Sequence, residues 1–333
     1  MPEIKLLDCT LRDGGYVNSW RWGFSAARDI IATLTRAGVD IVEVGFLRNV
    51  EGYNPDVTVC NTIEELNRLL PPEGQRGHTI YSGMAMRSNY DISKLSPYDG
   101  HGIEVIRITA HDYDIRDGMD FAREVKARGY KLSINPINIM GYADKDLLWI
   151  FDQVNAIHPW QFSIVDTFGS MRRRDLERIV SLADHNLAPD IRLGLHLHEN
   201  MALSFCLAQE FMDKPLLRDK TVDASLMGMG RTPGNLPIEL VADYRTRPAT
   251  ATTTWTRSWM PSRTTSPPSK AKARGAIHPG LLPVGPVQPA PQLRRALSGQ
   301  GRSDQPGHQP HSGCHRPGQK NRFRRCLRRQ TVH

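Results

Sequence analysis

Eight short apolar runs recur along the first 244 residues, at 4–8, 41–46, 79–85, 105–109, 132–136, 162–166, 193–198 and 222–226. Most are rich in Ile, Val or Leu, and their apolar residues do not strictly alternate with polar ones. That is the pattern of strands covered on both faces. Helically spaced segments lie between them. Ser25 reads as the N-cap of the first, which carries Ala26, Ala27, Ile30, Ile31 and Leu34 and stops at Gly38. The others are 62–70, 118–128, 145–157, 173–185, 202–212 and 235–244. Strands alternating with helices imply βαβ units and a parallel sheet. Eight strands in about 240 residues predict an α/β fold of the closed (β/α)8 TIM-barrel type. A doubly wound open sheet needs a phosphate-binding glycine turn after its first strand. Thr10-Leu11-Arg12-Asp13-Gly14-Gly15 is not one, and the glycines of 228–234 have the wrong spacing and follow the last strand.

The pattern breaks after Tyr244. Of 43 Lys and Arg and 35 Asp and Glu, 17 and one lie beyond that residue, leaving 26 and 34 before it. A mildly acidic body therefore precedes an intensely basic segment, and the overall charge of +8 describes neither. The segment is rich in Pro, Arg, Ser and His, and no aliphatic period survives in it. The expected organisation is a catalytic barrel at 1–244 and a disordered basic Arg/Pro-rich tail at 245–333. We read the tail as out-of-frame sequence, because patterning that fails at every level at once is unselected. A nucleic-acid-binding arm is the alternative. Only Trp255, Trp259 and Phe323 interleave with its basic residues, which argues against nucleic acid as a partner. No apolar run approaches the ~18 residues of a membrane span. The N-terminus lacks a signal-peptide pattern, and the cysteines at 9, 60 and 206 lie far apart, so a cytoplasmic protein without a disulfide framework is expected.

Chemistry concentrates at three strand ends, which a barrel gathers on one face. Arg12-Asp13 follows the first strand and puts a cation and a carboxylate at the mouth. His196 and His198 stand two apart in a strand, so they share a side and can hold one divalent ion. The turn 228–234 ends at Asn235, whose side-chain oxygen can approach the same centre. One carboxylate, two imidazoles and an amide suit a divalent cation: Mn²⁺, taken first, or Mg²⁺, Fe²⁺ or Zn²⁺. Such a centre leaves room for a chelating 2-oxo acid, with Arg12 adding positive charge where an enolate develops.

The string Leu7-Asp8-Cys9-Thr10-Leu11-Arg12-Asp13-Gly14-Gly15, the His-Leu-His of a late strand and the glycine turn ending in Asn235 together resemble the DRE-TIM metallolyase (HMGL-like) superfamily. The resemblance covers about residues 4–243. It implies that Asp13, His196 and His198 ligate the metal, that Asn235 ligates or approaches it, and that Arg12 is the catalytic arginine. It further implies that Glu43 orders the end of the second strand and that Asp166 and Thr167 line the substrate pocket. Aldolases of this group carry an acid/base histidine shortly after Arg-Asp, where this chain has Tyr16. HMG-CoA lyases carry a cysteine in the glycine turn, and this turn has none. The chain is therefore most similar to 4-hydroxy-2-oxovalerate aldolase-type members. The implied reaction is cleavage of a 4-hydroxy-2-oxo acid to pyruvate and an aldehyde. Claisen-type condensation of an acyl-CoA with a 2-oxo acid, or an inactive product, are the alternatives. By the same resemblance a homo-oligomer and an aldehyde dehydrogenase partner are expected.

His111, after the run at 105–109, is a second acid/base candidate, with helix capping as its other reading. Arg107 would pair with Glu43 or Asp166 if it faces inward. Arg172, Arg173 and Arg174 read as a solvated charge run. Cys9 reads as a small buried hydrophobe rather than a nucleophile.

Overall fold

The computed structural model describes residues 2–231 and 233–246. Among the described residues there are nine strands: β1 (Ile4–Asp8), β2 (Ile41–Leu47), β3 (Val59–Cys60), β4 (Ile80–Ala85), β5 (Val105–Ala110), β6 (Lys131–Pro136), β7 (Gln161–Asp166), β8 (Arg192–Leu197) and β9 (Lys220–Ala224). Eight run in the order β1-β9-β8-β7-β6-β5-β4-β2, and β1 pairs back onto β2, so the sheet closes. Every pairing between named strands is parallel. The architecture is a TIM barrel. The two-residue β3 pairs with the end of β2 at Phe46 and Leu47 and is not among the eight expected strands.

Among the described residues seven α-helices wrap the sheet: α1 (Phe24–Arg36), α2 (Ile63–Asn67), α3 (Ile115–Ala127), α4 (Asp144–Ile157), α5 (Arg173–Asn186), α6 (Ser204–Asp213) and α7 (Ile238–Thr246). No α-helix follows β4, where two 3-10 turns lead into β5. Ser25 is not the N-cap of α1. Gly23 takes that place with φ +77°, and Ser25 lies inside the first turn. Gly38 stops this helix as expected, with φ +75°. Residue 235 does not open the last helix either. Asn235 bridges to His198, and α7 begins at Ile238. That helix runs to Thr246, past the expected boundary at 244, and the remainder of the expected tail lies outside the described residues. Among the described residues no helix is long and apolar enough to cross a membrane.

The strands alternate more strictly than the sequence reading allowed. Leu193, Leu195 and Leu197 join the apolar layer under the helices, as do Ile106, Ile108, Leu132, Ile134, Phe162 and Ile164. The residues between them face the barrel interior, where Arg107, Ser133, Asn135, Gln161, Ser163, His196, Thr221 and Asp223 are buried. Both faces are dry, but only the outer one is apolar. Burying a row of polar groups is costly unless they bond one another, and here most do, Thr221 Oγ1 being without a partner among the described residues. Asn135 accepts from Arg107 at 3.1 Å, and Gln161 donates to Ser163 at 2.9 Å. The amino end of the barrel is tied by buried cations. Lys220 donates to the carbonyls that end α6, and Arg218 donates to the Asp184 and Leu187 carbonyls at the end of α5, with the Asp184 carboxylate as its ion partner.

Candidate active site

The carboxyl end of β1 carries Asp8, Cys9 and the Arg12-Asp13 pair into one tight turn. Asp13 N–H donates to the Cys9 carbonyl at 2.8 Å. Both side chains of the pair are buried, and Arg12 Nη1 lies 3.2 Å from Asp13 Oδ1. The exposed ion pair that such a dipeptide usually forms is excluded. Arg12 Nε donates to Glu43 Oε2 at 2.7 Å, and Glu43 Oε1 lies 3.1 Å from Arg107 Nη1. Arg107 also pairs with Asp223, not with Asp166. Asp223 Oδ2 lies 3.1 Å from His196 Nδ1, and His196 Nε2 lies 3.1 Å from Asp13 Oδ2. Six buried side chains from β1's turn, β2, β5, β9 and β8 thus close into a ring of charge. Of these, Asp223 drew no attention in the sequence.

His198 stands beside the ring, its imidazole centroid 5.0 Å from that of His196. Its Nδ1 lies 2.9 Å from the Asp166 carbonyl. A carbonyl only accepts, so Nδ1 carries the proton and Nε2 keeps a lone pair, 3.8 Å from Asp13 Oδ2. Burial and the neighbouring His196 push the His198 pKa down to about 4, which keeps this ring neutral. Burial would also depress His196, but its bonds to Asp13 and Asp223 outweigh that and raise it. Burial would raise Asp13, yet Arg12 and His196 hold its carboxyl well below the ordinary range.

Asn235 Nδ2 donates to Asp13 Oδ2 at 2.9 Å and to the Met229 carbonyl at 3.2 Å. Its Oδ1 is buried and has no partner. Gly230 makes this packing feasible, since a Cβ there would stand 2.5 Å from Asn235 Cγ. The glycines of the turn hold an amide against Asp13 rather than supplying flexibility.

This donor set fits a divalent cation. Ligand atoms sharing one ion at about 2.0–2.2 Å stand about 3 Å apart, close to the Asp13–His196 spacing. The carbonyl behind His198 and the carboxylate behind His196 orient both rings, as second partners of ligating histidines do. Among the described residues the Asn235 amide oxygen is buried without a hydrogen-bond partner beside Asp13, as are Glu43 Oε1 and Asp223 Oδ1 in the ring. Cys9 Sγ, Asp13 and His196 also offer ligand atoms within 4.8 Å of one another. The thiol donates to the Ala224 carbonyl at 3.2 Å, and burial drives its pKa well above the usual value, which agrees with an unreactive small side chain.

The other expected site residues lie farther from this centre in their bonding. Tyr16 is 44% exposed, its ring edge against Trp20 at 4.8 Å. Among the described residues its hydroxyl bonds to none of the ring's members. The His111 ring stacks on Tyr113 at 4.9 Å, and the His111 backbone N–H donates to Asp114 Oδ1 at 2.6 Å at the cap of the 3-10 turn Asp112–Asp114, which favours the capping reading. The Asp166 carboxylate accepts from the Ser170 and Met171 amides, and Thr167 Oγ1 accepts from Asn138 N–H at 2.8 Å. These two side chains shape the loop after β7. Arg172, Arg173 and Arg174 are exposed, as expected.

Residues 106–257 match the HMGL-like family model. Over that stretch the chain carries an HMGL-like domain. Relatives of this HMGL-like domain include an oxaloacetate decarboxylase of Mycobacterium tuberculosis, 25% identical over 249 residues, covering 74% of this chain and 71% of that protein. A 4-hydroxy-2-oxovalerate aldolase of Thermomicrobium roseum is 26% identical over 251 residues, covering 72% of this chain and 65% of the relative. Among solved structures, the hydroxymethylglutaryl-CoA lyase of Pseudomonas aeruginosa superposes with a TM-score of 0.56 at 14% identity, covering 73% of this chain and 84% of that one, and shares its fold. The HMGL-like domain marks a metal-dependent oxo-acid lyase.

Proposed function

We propose that the chain cleaves a 4-hydroxy-2-oxo acid to pyruvate and an aldehyde, or runs the reverse aldol addition. The observation that carries this reading is the convergence of Asp13, His196, His198 and the orphaned Asn235 oxygen beside a buried arginine. A divalent ion held by those four residues, Mn²⁺ in the first instance, would supply Lewis acidity at the 2-oxo group. Arg12, fixed by Glu43 and Asp13, holds a permanent positive charge where the enolate oxygen forms. The C4 hydroxyl proton passes to the Tyr16 phenol, which relays its own proton to water. The C3–C4 bond then breaks, the aldehyde leaves, and the enolate takes a proton at C3 to give pyruvate.

His196→Ala tests the reading. The variant should lose both its bound metal, read by elemental analysis, and its pyruvate release. Turnover equal to the parent chain would refute it.

A second reading has its own observation. The Tyr16 hydroxyl bonds to no member of the ring, and loss of CO₂ from a 3-carboxy-2-oxo acid reaches the same enolate with no hydroxyl proton to remove. The relative named oxaloacetate decarboxylase makes this the competing reaction.

A further inference from the structure

Arg48 follows β2 by one residue and is the cation at the mouth that nothing in the ring accounts for. Glu43, in the same strand, meets Arg12 and Arg107 inside the barrel. Past the irregularity between Glu43 and Phe46, the Phe46 ring lies under the Arg12 guanidinium, 5.6 Å from its Cζ. Arg48 Cζ stands 3.9 Å from the centroid of the same ring and 4.9 Å from that of Trp20. Trp20 is itself fixed, because its Nε1 donates to the Arg12 carbonyl at 2.6 Å. Two arginines therefore share one aromatic ring on the carboxyl face of the barrel. Arg12 is ion-paired with Asp13 and Glu43. Among the described residues no carboxylate lies within 4.0 Å of the Arg48 guanidinium, and its Nε is buried without a partner. Arg107 and Arg192 also have a buried nitrogen without a bond, but both guanidiniums are ion-paired. Stacking between aromatic rings orients a guanidinium and leaves its in-plane donors to meet an anion.

We propose that Arg48 receives a second carboxylate of the substrate, so that the preferred substrates are 2-oxo diacids rather than 2-oxo monoacids. This rests on the lyase reading above for what happens to the substrate, but not for its binding. The 2-oxo end lies by Arg12 and the ring. The distal carboxylate lies one aromatic ring away, where a fork of N–H donors fits its two oxygens.

The test separates the two claims. 2-Oxoglutarate and 2-oxopentanoate have five carbons each and differ in carrying a carboxylate or a methyl at the far end. Their binding to the full chain in saturating Mn²⁺ is measured by isothermal titration calorimetry. 2-Oxoglutarate should bind at least about tenfold tighter, as expected for one charge-assisted bidentate contact. Arg48→Gln should abolish the difference while leaving 2-oxopentanoate binding unchanged, and Arg48→Lys should keep part of it. Equal binding of the two acids by the parent chain overturns the proposal without any variant. An advantage that survives in a folded Arg48→Gln protein overturns it too. Pyruvate release from 4-hydroxy-2-oxoglutarate and 4-hydroxy-2-oxopentanoate is then followed separately. Selective binding with release from neither would sink the lyase reading and leave the carboxylate site standing.

Discussion

Asp223→Asn isolates the least obvious member of the ring. Its carboxylate faces Arg107 on one side and His196 Nδ1 on the other, and both partners are buried. Removing one partner of a buried pair costs about 3–5 kcal/mol. Arg107 keeps Glu43 at 3.1 Å and Asn135 at 3.1 Å, and the amide keeps an oxygen, so the loss falls at the lower end. About 3 kcal/mol in a chain of this size lowers Tm by roughly 6–12 °C. The amide oxygen goes to Arg107, which turns the NH₂ toward His196. Nδ1 must then accept, the imidazole proton moves to Nε2, and the nitrogen facing Asp13 loses its lone pair. Metal affinity should drop roughly 10–100-fold, the usual cost of losing the partner that orients a ligating histidine. Thermal unfolding followed by circular dichroism reads the first effect, and Mn²⁺ titration followed by the electron paramagnetic resonance of the free ion reads the second. A melting point and an Mn²⁺ affinity both unchanged in the variant would show that Asp223 fixes neither neighbour.

Three further outcomes are expected. Tyr16→Phe should slow aldol cleavage by about 10²–10⁴-fold, the worth of a positioned proton relay, while leaving oxaloacetate decarboxylation intact; equal losses in the two pyruvate-release assays would remove Tyr16 from the chemistry. Burial raises the Asp8 carboxyl to about 7 against its bonds from Thr10. The folded value lies above the unfolded one near 3.9, so the stability this group contributes is complete below about pH 4 and is lost as pH rises through about 7. Asp8→Asn should flatten that part of the urea-unfolding profile, and an unchanged slope would refute the assignment. Gly230→Ala should displace the Asn235 amide and weaken Mn²⁺ binding about tenfold, with undiminished affinity the contrary result.

The eight barrel strands were legible because burial on the outer face demands Ile, Val and Leu, and those residues mark each of the eight to within about two positions, inside the usual uncertainty of an element's ends. The start of α1 was not, because Gly23 caps it through a backbone conformation rather than through a side chain such as Ser25. The alternation Arg192-Leu193-Gly194-Leu195-His196-Leu197-His198 was in plain view, and it put the two histidines on one side. The same alternation elsewhere went unused. The one Arg in Val105–Ala110 and the one Asp in Lys220–Ala224 are charged positions on the inward face of their strands. Their pairing depends on how the closed sheet staggers its strands, and no one strand encodes that. Arg48 escaped notice for a related reason. A cation just past a strand looks like any surface arginine until the two aromatic rings beneath it are placed.

A buried ring of charge is a poor way to stabilise a barrel. Apolar residues of similar volume would fill the interior at no greater cost, whereas each ion taken from water carries a penalty of several kcal/mol. The ring's composition gives it another use. Arg12 and Arg107 oppose three carboxylates, Glu43, Asp223 and Asp13, with His196 between the last two. When that imidazole is neutral the ring carries an excess negative charge, located at the end where Asp13, His198 and Asn235 converge. Glu43 and Asp223 each bind two partners, so neither His196 nor Arg12 can swing without breaking a bond at the next position. The energy spent on burial is held as fixed dipoles and charges around one point, where a cation and a developing enolate both gain from them. On this account the polar inner face and the apolar outer face of the same strands answer to different demands. The outer face holds the fold together, and the inner face keeps the site from relaxing.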